Sequence, residues 1–449
     1  MTTQSSDIRP DKAFDVTHRS VLAIAVPMTL AFLSTPLLGV VDTAVIGRLG
    51  DAALVGGIAI GGVIFDLVFT TFNFLRSGTT GLTAQAYGAD DQSEIKATFL
   101  RALFIAAIAG LAVILLQKPF LEIGLTFMGG SADVQSATRR YFEIRVYSAP
   151  FLLANYAILG WFLGLSRAGT GLFLQLFLNG LNIALSIWFV MGLGWSIEGV
   201  AAATVLSEAA ACLAGLLLIL RAARGSVWPT WSVVFDRRLI LRMMAINRDI
   251  MIRSFSLLFA FAFFTARSAA QGDVLLAANA ILEKFFLVGG YFLDGLATAV
   301  EQLAGRAVGA RYRPAFDRAV KLTTLWGFAL ALGLALVYFL AGPLLVDLMT
   351  VSPGVREIGR IYLPWAALTP LFGVLAFQMD GVFIGATWSR DMRNMMLLSL
   401  AVYIAAYYTL FPLMGNHGLW LSLEIFLGAR GISLAAMCRH RANQTFQPA

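Results

Sequence analysis

Apolar residues run along this chain in blocks of about 20 or more, parted by short polar or glycine-containing joints. A helix of that length crosses the roughly 30 Å hydrocarbon layer of a bilayer at about 1.5 Å per residue. Hydropathy and breaker residues predict twelve such spans: 21–47, 53–87, 95–116, 134–166, 170–192, 197–222, 248–270, 273–308, 315–340, 355–388, 393–412 and 418–438. A short amphipathic piece at 119–127 precedes the fourth. Residues 1–20 are polar, and the first span is expected to persist as a membrane helix, being too long for a secretory signal and lacking a small-residue cleavage site. The basic stretch 223–247, with Trp228 and Trp231 flanking Pro229, is expected to lie in the interface as a linker, and 439–449 to form a tail.

Composition supports the same class. Of 449 residues 59% are hydrophobic and only 13% charged, against about 25% charged in a soluble domain. The net charge of +7 comes from basic residues in short loops, so the partner it suggests is the anionic face of a bilayer and not a nucleic acid. Cys212 and Cys438 fall in apolar helices and read as small core residues.

The two halves resemble each other. LGDAALVGG around Asp51 lines up with QGDVLLAAN around Asp273, AQAYGA at Gly88 with GRAVGA at Gly309, and GWFLG at Gly160 to Gly164 with GVFIG at Gly381 to Gly385. The shift is about 221 residues throughout, the mark of a duplicated transporter, and with six spans in each half the repeat is parallel. The predicted fold is therefore an all-α polytopic membrane protein, an N-lobe (21–222) and a C-lobe (248–438), each a six-helix bundle, related by a pseudo-two-fold axis along the membrane normal. Basic residues near span ends divide about 21 to about 6 in favour of the side bearing both termini, which predicts that side to be cytoplasmic.

Polar residues inside the spans carry the candidate chemistry. Asp42 lies near one end of the first span, where an unpaired carboxylate is costly unless it faces a cavity, finds a partner or titrates. Pro27 and Pro36 on the same helix each remove a backbone donor and give it places to bend. Asn179, Asn182 and Ser186 recur at i, i+3 and i+7 on the fifth span, hence on one stripe. Asn155 lies midway along the fourth and Thr204 about seven residues into the sixth. Asp42, Ser186 and Thr204 come out about 6–10 Å from the ends of their helices on the side opposite the termini, so one cavity could hold them; equally, each could serve as interhelical glue. In the C-half the charged set is Arg253, Arg267, Glu283, Lys284, Asp294, Glu301 and Asp380, with a salt bridge to Arg253 or Arg306 the structural reading for Asp294 and Asp380.

Several stretches are similar to one family: VPMTLAFLSTPLLGVVDTAVIGRLG, LRSGTTGLTAQAYGA, YFEIR, LANYAILGWFLG, VMGLGWSIEGVAAATV, AINRDIMIRS, DGLATAVEQLAGRAVGAR and MDGVFIGATWSRDMRN. In this order they resemble the multidrug and toxic compound extrusion (MATE) family, and its DinF branch in particular, over essentially the whole membrane domain. The resemblance implies a twelve-helix antiporter of the inner membrane that expels amphipathic compounds in exchange for H⁺ or Na⁺, needs no cofactor and acts as a monomer. It places the family's cation-coupling residues on Asp42, Asn155, Asn182 and Thr204, and leaves Asn179, Ser186, Arg253, Glu283, Lys284, Asp294, Glu301 and Asp380 as candidates for the substrate cavity.

One departure bears on the ion. Four residues after Asn182 the family commonly has Asp, and this chain has Ser186. With Asp42 as the one carboxylate assigned to the N-half set, Na⁺ could still bind there, but protonation is the simpler coupling reaction. The seventh-span acid of the NorM branch is also not evident. No His-Glu-x-x-His or Walker A motif occurs, and the Asp-Gly pairs at 294 and 380 have the wrong order for an intramembrane aspartyl protease, so an enzyme is not expected. A flippase for a lipid-linked or anionic amphiphile is the alternative, since related exporters share the architecture; it would call for a cationic lumen.

Overall fold

The computed structural model describes residues 13–223 and 227–447, and among these every regular element is helical. The N-lobe comprises α1 (His18–Gly47), α2 (Ala52–Ala89), α3 (Gln92–Leu115), α4 (Ala132–Gly164), α5 (Ala168–Gly192) and α6 (Ile197–Ala222). The C-lobe comprises α7 (Arg237–Ala269), α8 (Asp273–Gly309), α9 (Arg313–Met349), α10 (Pro353–Gly385), α11 (Ser389–Met414) and α12 (Asn416–Thr445). All twelve are long and apolar enough to cross a membrane, so both ends of the described chain lie on one side. The amphipathic piece before α4 is a helix, Gln117–Met128.

α1 is one helix through both Pro27 and Pro36. α2 and α4 each tighten to a 3₁₀ turn partway, at Thr71–Asn73 and Val146–Ser148, and α5 ends in a π-helical turn, Trp188–Gly192.

Three boundaries differ most from the hydropathy reading, one of them the end of α9 at Met349, nine residues past the expected 340. α7 begins inside the expected linker: Asp236 caps it by accepting from the Leu239 amide at 3.0 Å, and Met243, Ile246 and Ile250 are buried at helical spacing. The arginines at 237, 238, 242 and 248 that lower the local hydropathy are on its exposed face. The connection before it is strapped to α3 by two buried cations, since Lys96 Nζ donates to the Val227 carbonyl at 2.7 Å and Arg101 to those of Val233 and Val234, both at 2.8 Å. Residues 224–226 lie outside the described chain. At the other end α12 continues to Thr445 through most of the expected tail, with Ala442 buried.

The repeat appears in the backbone itself. Among the described residues the non-glycine positions with left-handed φ are Asp90, Ser166, Arg311 and Thr387. They form two pairs, 90 with 311 and 166 with 387, each separated by 221. The same offset governs the place where the lobes meet. A Cβ on Gly88 would strike the Arg306 carbonyl, and one on Gly309 would strike that of Gln85, so α2 and α8 cross with their backbones touching about a local two-fold axis. α1 crosses α8 as closely, where Gly295 abuts Ala25 and Thr29. These contacts lie in the half of the molecule nearer the chain termini. There the buried residues of α1, Ile24, Ala25 and Met28, share one apolar core with α8, α9 and α10.

Candidate functional site

Between the lobes, beyond those crossings, lies a cavity of about 460 Å³. α2 contributes Asn73 and Arg76, α7 contributes Arg253, α8 contributes Asp294 and Glu301, and α10 and α12 contribute Asp380 and Arg430. Six of these are ionisable, three of each sign. Arg253 donates to Asp380 at 2.6 Å, and Arg430 to the same carboxylate oxygen, so Asp380 is clamped by two cations. This is the Arg253 salt bridge expected for Asp380; Arg306 instead packs against the rings of Phe14 and Tyr87, with 4.0 Å from its guanidinium carbon to the Phe14 centroid. One nitrogen of Arg76 and one oxygen of Glu301 are buried with no hydrogen-bond partner among the described residues. Such groups are costly to leave unmet, and both belong to side chains lining the cavity.

Of the residues expected in the substrate cavity, Asn179, Ser186, Glu283 and Lys284 are not part of that lining. Glu283 is on the same stripe of α8 as Asp294, but eleven residues away, or about 16 Å along the axis. It is half-buried among α7 and α11, and Lys284 is exposed.

The second polar site is inside the N-lobe, where α1, α5 and α6 meet on the side away from the termini. Ser186 Oγ is 3.0 Å from Asp42 Oδ1 and 3.2 Å from Asn182 Oδ1. Asn182 Nδ2 donates to Thr204 Oγ1 at 3.1 Å, which in turn donates to the Val200 carbonyl at 3.1 Å. All four side chains are buried. A serine hydroxyl carries a single proton and cannot donate to both of its neighbours. If Asp42 is ionised, Ser186 gives its proton to the carboxylate and the Asn182 oxygen goes without a donor. If Asp42 carries a proton, the bonds run one way, from Asp42 to Ser186 to Asn182 to Thr204 to Val200, and the Asn182 oxygen has its donor.

Asn179 is outside this chain; it donates to Ser34 Oγ at 2.8 Å and accepts from Gln175. Asn155 is elsewhere too. Its amide donates to Glu208 Oε2 at 2.6 Å and to the Glu208 carbonyl at 3.0 Å. Asp42 is thus not the single acid of the N-lobe, because Glu208 is buried beside Asn155, and Asp66 lies within electrostatic reach of Arg145, as do Asp42 and Glu208. Arg145 is held by the Tyr141 hydroxyl at 2.6 Å and by the Phe65 ring, 4.6 Å from its centroid.

The residues that the sequence reading passed over, Asp66, Arg76, Arg145, Glu208, Glu424 and Arg430, are all ionisable and all within predicted spans. That alone is a signal, since a charge in a membrane helix is expensive. Glu424 is the extreme case, fully buried in the C-lobe with neither oxygen bonded among the described residues. Among the described residues no cluster of three or more His, Cys, Asp or Glu side chains could hold a metal ion.

The MatE family model matches residues 27–188 and 250–409, so it spans both repeats. The chain is 40% identical to the DNA damage-inducible protein F of Escherichia coli (strain K12), over 94% of this chain and 92% of that one. It is 20% identical to the multidrug export protein MepA of Staphylococcus aureus (strain NCTC 8325 / PS 47), covering 91% and 90%. Its fold matches that of an outward-facing multidrug resistance MATE family transporter of the MOP superfamily, with a TM-score of 0.86 at 18% identity over 95% of this chain and 96% of that one. The chain therefore belongs to the MatE family, and it is a multi-pass membrane transporter, not an enzyme.

Proposed function

We propose that this transporter is a secondary exporter that moves amphipathic organic compounds out of the cell against an inward flow of protons, by alternating access between its two lobes. The observation that carries the proton is the one-way chain from Asp42 to Val200, in which the single Ser186 hydroxyl proton is free to reach Asn182 Oδ1 only when Asp42 is protonated. Na⁺ finds less there: one carboxylate, two hydroxyls and a single amide oxygen, because the Asn182 nitrogen already faces Thr204. Asn155 and Glu208 form a second buried acid–amide pair that could pass a proton onward, and Tyr156, next to Asn155, lines the central cavity.

The substrate space is the inter-lobe cavity, walled by aromatic rings such as Phe32, Tyr156, Phe261 and Phe377 between its charged residues. Rings beside charges suit amphipathic molecules. The name of the S. aureus relative agrees with a multidrug substrate range. The excess of basic residues on the terminus side supports an orientation with both termini in the cytoplasm; the reading is of an inner-membrane protein that works as a monomer. A flippase for an anionic amphiphile draws on Arg76, Arg253 and Arg430, but two of these are committed to Asp380.

The test is transport into inverted vesicles of a lipophilic cation and a lipophilic anion, driven in turn by a pH gradient and a Na⁺ gradient. The expected result is uptake that follows the pH gradient and ignores Na⁺; uptake driven by Na⁺ alone would overturn the proton assignment.

A further inference from the structure

A groove of about 330 Å³ runs between α1, α8 and α9, separate from the central cavity. Leu22, Val26, Leu30 and Leu33 form one wall, Leu296 and Leu330 the others, and Thr29 is the one polar residue without an aromatic ring. Val26 and Leu30 are each 52% exposed, so the groove opens sideways, where a membrane protein meets hydrocarbon and not water.

Its end nearer the termini is closed by Trp326, whose indole N–H donates to His18 Nδ1 at 3.1 Å, the kind of ring placement found where hydrocarbon gives way to headgroups. Just beyond lies a hollow of about 390 Å³ between Phe14, Val16 and the start of α9. Arg318 and Lys321 line it, both exposed, and among the described residues neither has an ion-pair partner. Of the two carboxylates in the same hollow, Asp317 is bound by Arg313 at 2.8 Å, which leaves Asp15 against two cations. Lys321 is five residues from Trp326 and Arg318 eight, or about 7.5 and 12 Å along the helix.

An apolar groove at hydrocarbon depth, an indole at the boundary and a basic hollow just past it follow one another along one seam. We propose that this seam holds a single anionic phospholipid of the leaflet on the terminus side, with one acyl chain between α1, α8 and α9 and its phosphate at Arg318 and Lys321. The seam is where α1 and α8 cross, so a lipid that fits it favours the form in which the lobes are closed at that end, by its differential affinity for the two forms. The assignment does not depend on which ion drives transport.

The test uses the full chain in nanodiscs of phosphatidylcholine containing, at one mole fraction, either phosphatidylglycerol or phosphatidylcholine brominated on the acyl chains. Bromine quenches nearby tryptophans, and the quenching lost in Trp326→Phe is that of Trp326. Brominated phosphatidylglycerol is expected to occupy the groove about fivefold more readily than brominated phosphatidylcholine. Arg318→Gln with Lys321→Gln should remove that excess and leave quenching by phosphatidylcholine unchanged, which also reports that the groove is intact. Equal quenching by the two lipids in the unmodified protein, or an excess that survives the double substitution, overturns the proposal.

Discussion

The N-lobe and the C-lobe share a backbone but not a chemistry. At the repeat offset of 221, Asp42 corresponds to Phe263, Asn182 to Tyr403 and Ser186 to Tyr407. In the N-lobe these positions meet through hydrogen bonds. In the C-lobe they meet through rings, Phe263 against Tyr407 with centroids 5.0 Å apart at 89° and against Tyr403 at 5.5 Å and 77°. In the central cavity the imbalance reverses. Phe32 and Asn73 of the N-lobe face Arg253 and Asp294, their partners at the same offset. What stays equal is what the lobes need in order to meet, the glycines and left-handed positions at which α2 and α8 cross and the chain turns back. Duplication has preserved the crossing surfaces and divided the charges, with buried acids in the N-lobe away from the cavity and ion pairs of the C-lobe within it.

The comparison is broken most directly by Asp42→Asn. A carboxamide cannot exchange a proton, so proton-driven export should fall by about tenfold or more, a loss of at least about 1.4 kcal/mol of coupling. Expression and melting temperature should stay near those of the unmodified protein, because an amide can still donate to Ser186. Vesicle uptake under a pH gradient measures the first and detergent melting the second. Full proton-driven export by this variant would move the coupling site to another acid, with Glu208 and Glu301 the first to examine. The reverse transplant, Phe263→Asp with Tyr403→Asn and Tyr407→Ser, should fold less stably and should not rescue Asp42→Asn, if burial in the N-lobe and not the four residue types alone makes the site work.

The ion pairs of the C-lobe should matter for stability. Asp380→Ala leaves Arg253 and Arg430 facing each other without the carboxylate that bonds both, with only the more distant Asp294 and Glu301 as counter-charges, and removing one partner from a buried pair costs about 3–5 kcal/mol. Melting should therefore drop steeply, while Asp380→Leu combined with Arg253→Met and Arg430→Met should recover much of the loss. No change in melting for Asp380→Ala would show that water reaches and solvates the pair.

The shared crossing surface can be tested by Gly309→Val. Its Cβ would overlap the Gln85 carbonyl, a backbone atom that cannot swing aside, and overpacking of this sort costs about 1–3 kcal/mol. The lobes should part at the terminus end, read as a longer distance between spin labels placed on α2 and α8 there. Gly88→Val, related by the repeat, should give the same change; an effect at one glycine and not the other would argue against a symmetric crossing.

Much of this was legible in the sequence. Twelve spans, the parallel repeat and its offset follow from hydropathy and three short matches, because membrane helices must be long, apolar and internally bonded. The stripe Asn182–Ser186 and its matching depth with Asp42 and Thr204 could also be counted along straight helices, but counting left open whether these side chains share a site or hold helices together. The start of α7 was not legible because four arginines on an exposed face hide a buried stripe from any average. Nor could counting separate Asn155 from the Asp42 chain, since its partner depends on how α4 rotates against α6. The clamp on Asp380 was only half visible for the same reason: Arg253 could be named, but bringing Arg430 of α12 to it requires the packing of three helices.

The finest test of the comparison lies within one stripe of α5. Asn179 and Asn182 are one turn apart, equally buried and chemically identical, so a general loss of helix packing would affect them alike. Their partners differ. Asn179 bonds Ser34, a hydroxyl that also donates to the carbonyl three residues earlier on its own helix and so is not orphaned by the substitution. Asn182 joins Ser186 to Thr204, and its removal leaves two buried hydroxyls of the Asp42–Val200 chain without their link. Asn179→Ala and Asn182→Ala should each cost about 1 kcal/mol in melting. Transport should separate them, with Asn182→Ala reducing proton-driven uptake several-fold and shifting its dependence on pH, and Asn179→Ala leaving that dependence in place. Equal losses with equal pH profiles would mean that the stripe serves only to hold α5 against α1 and α6.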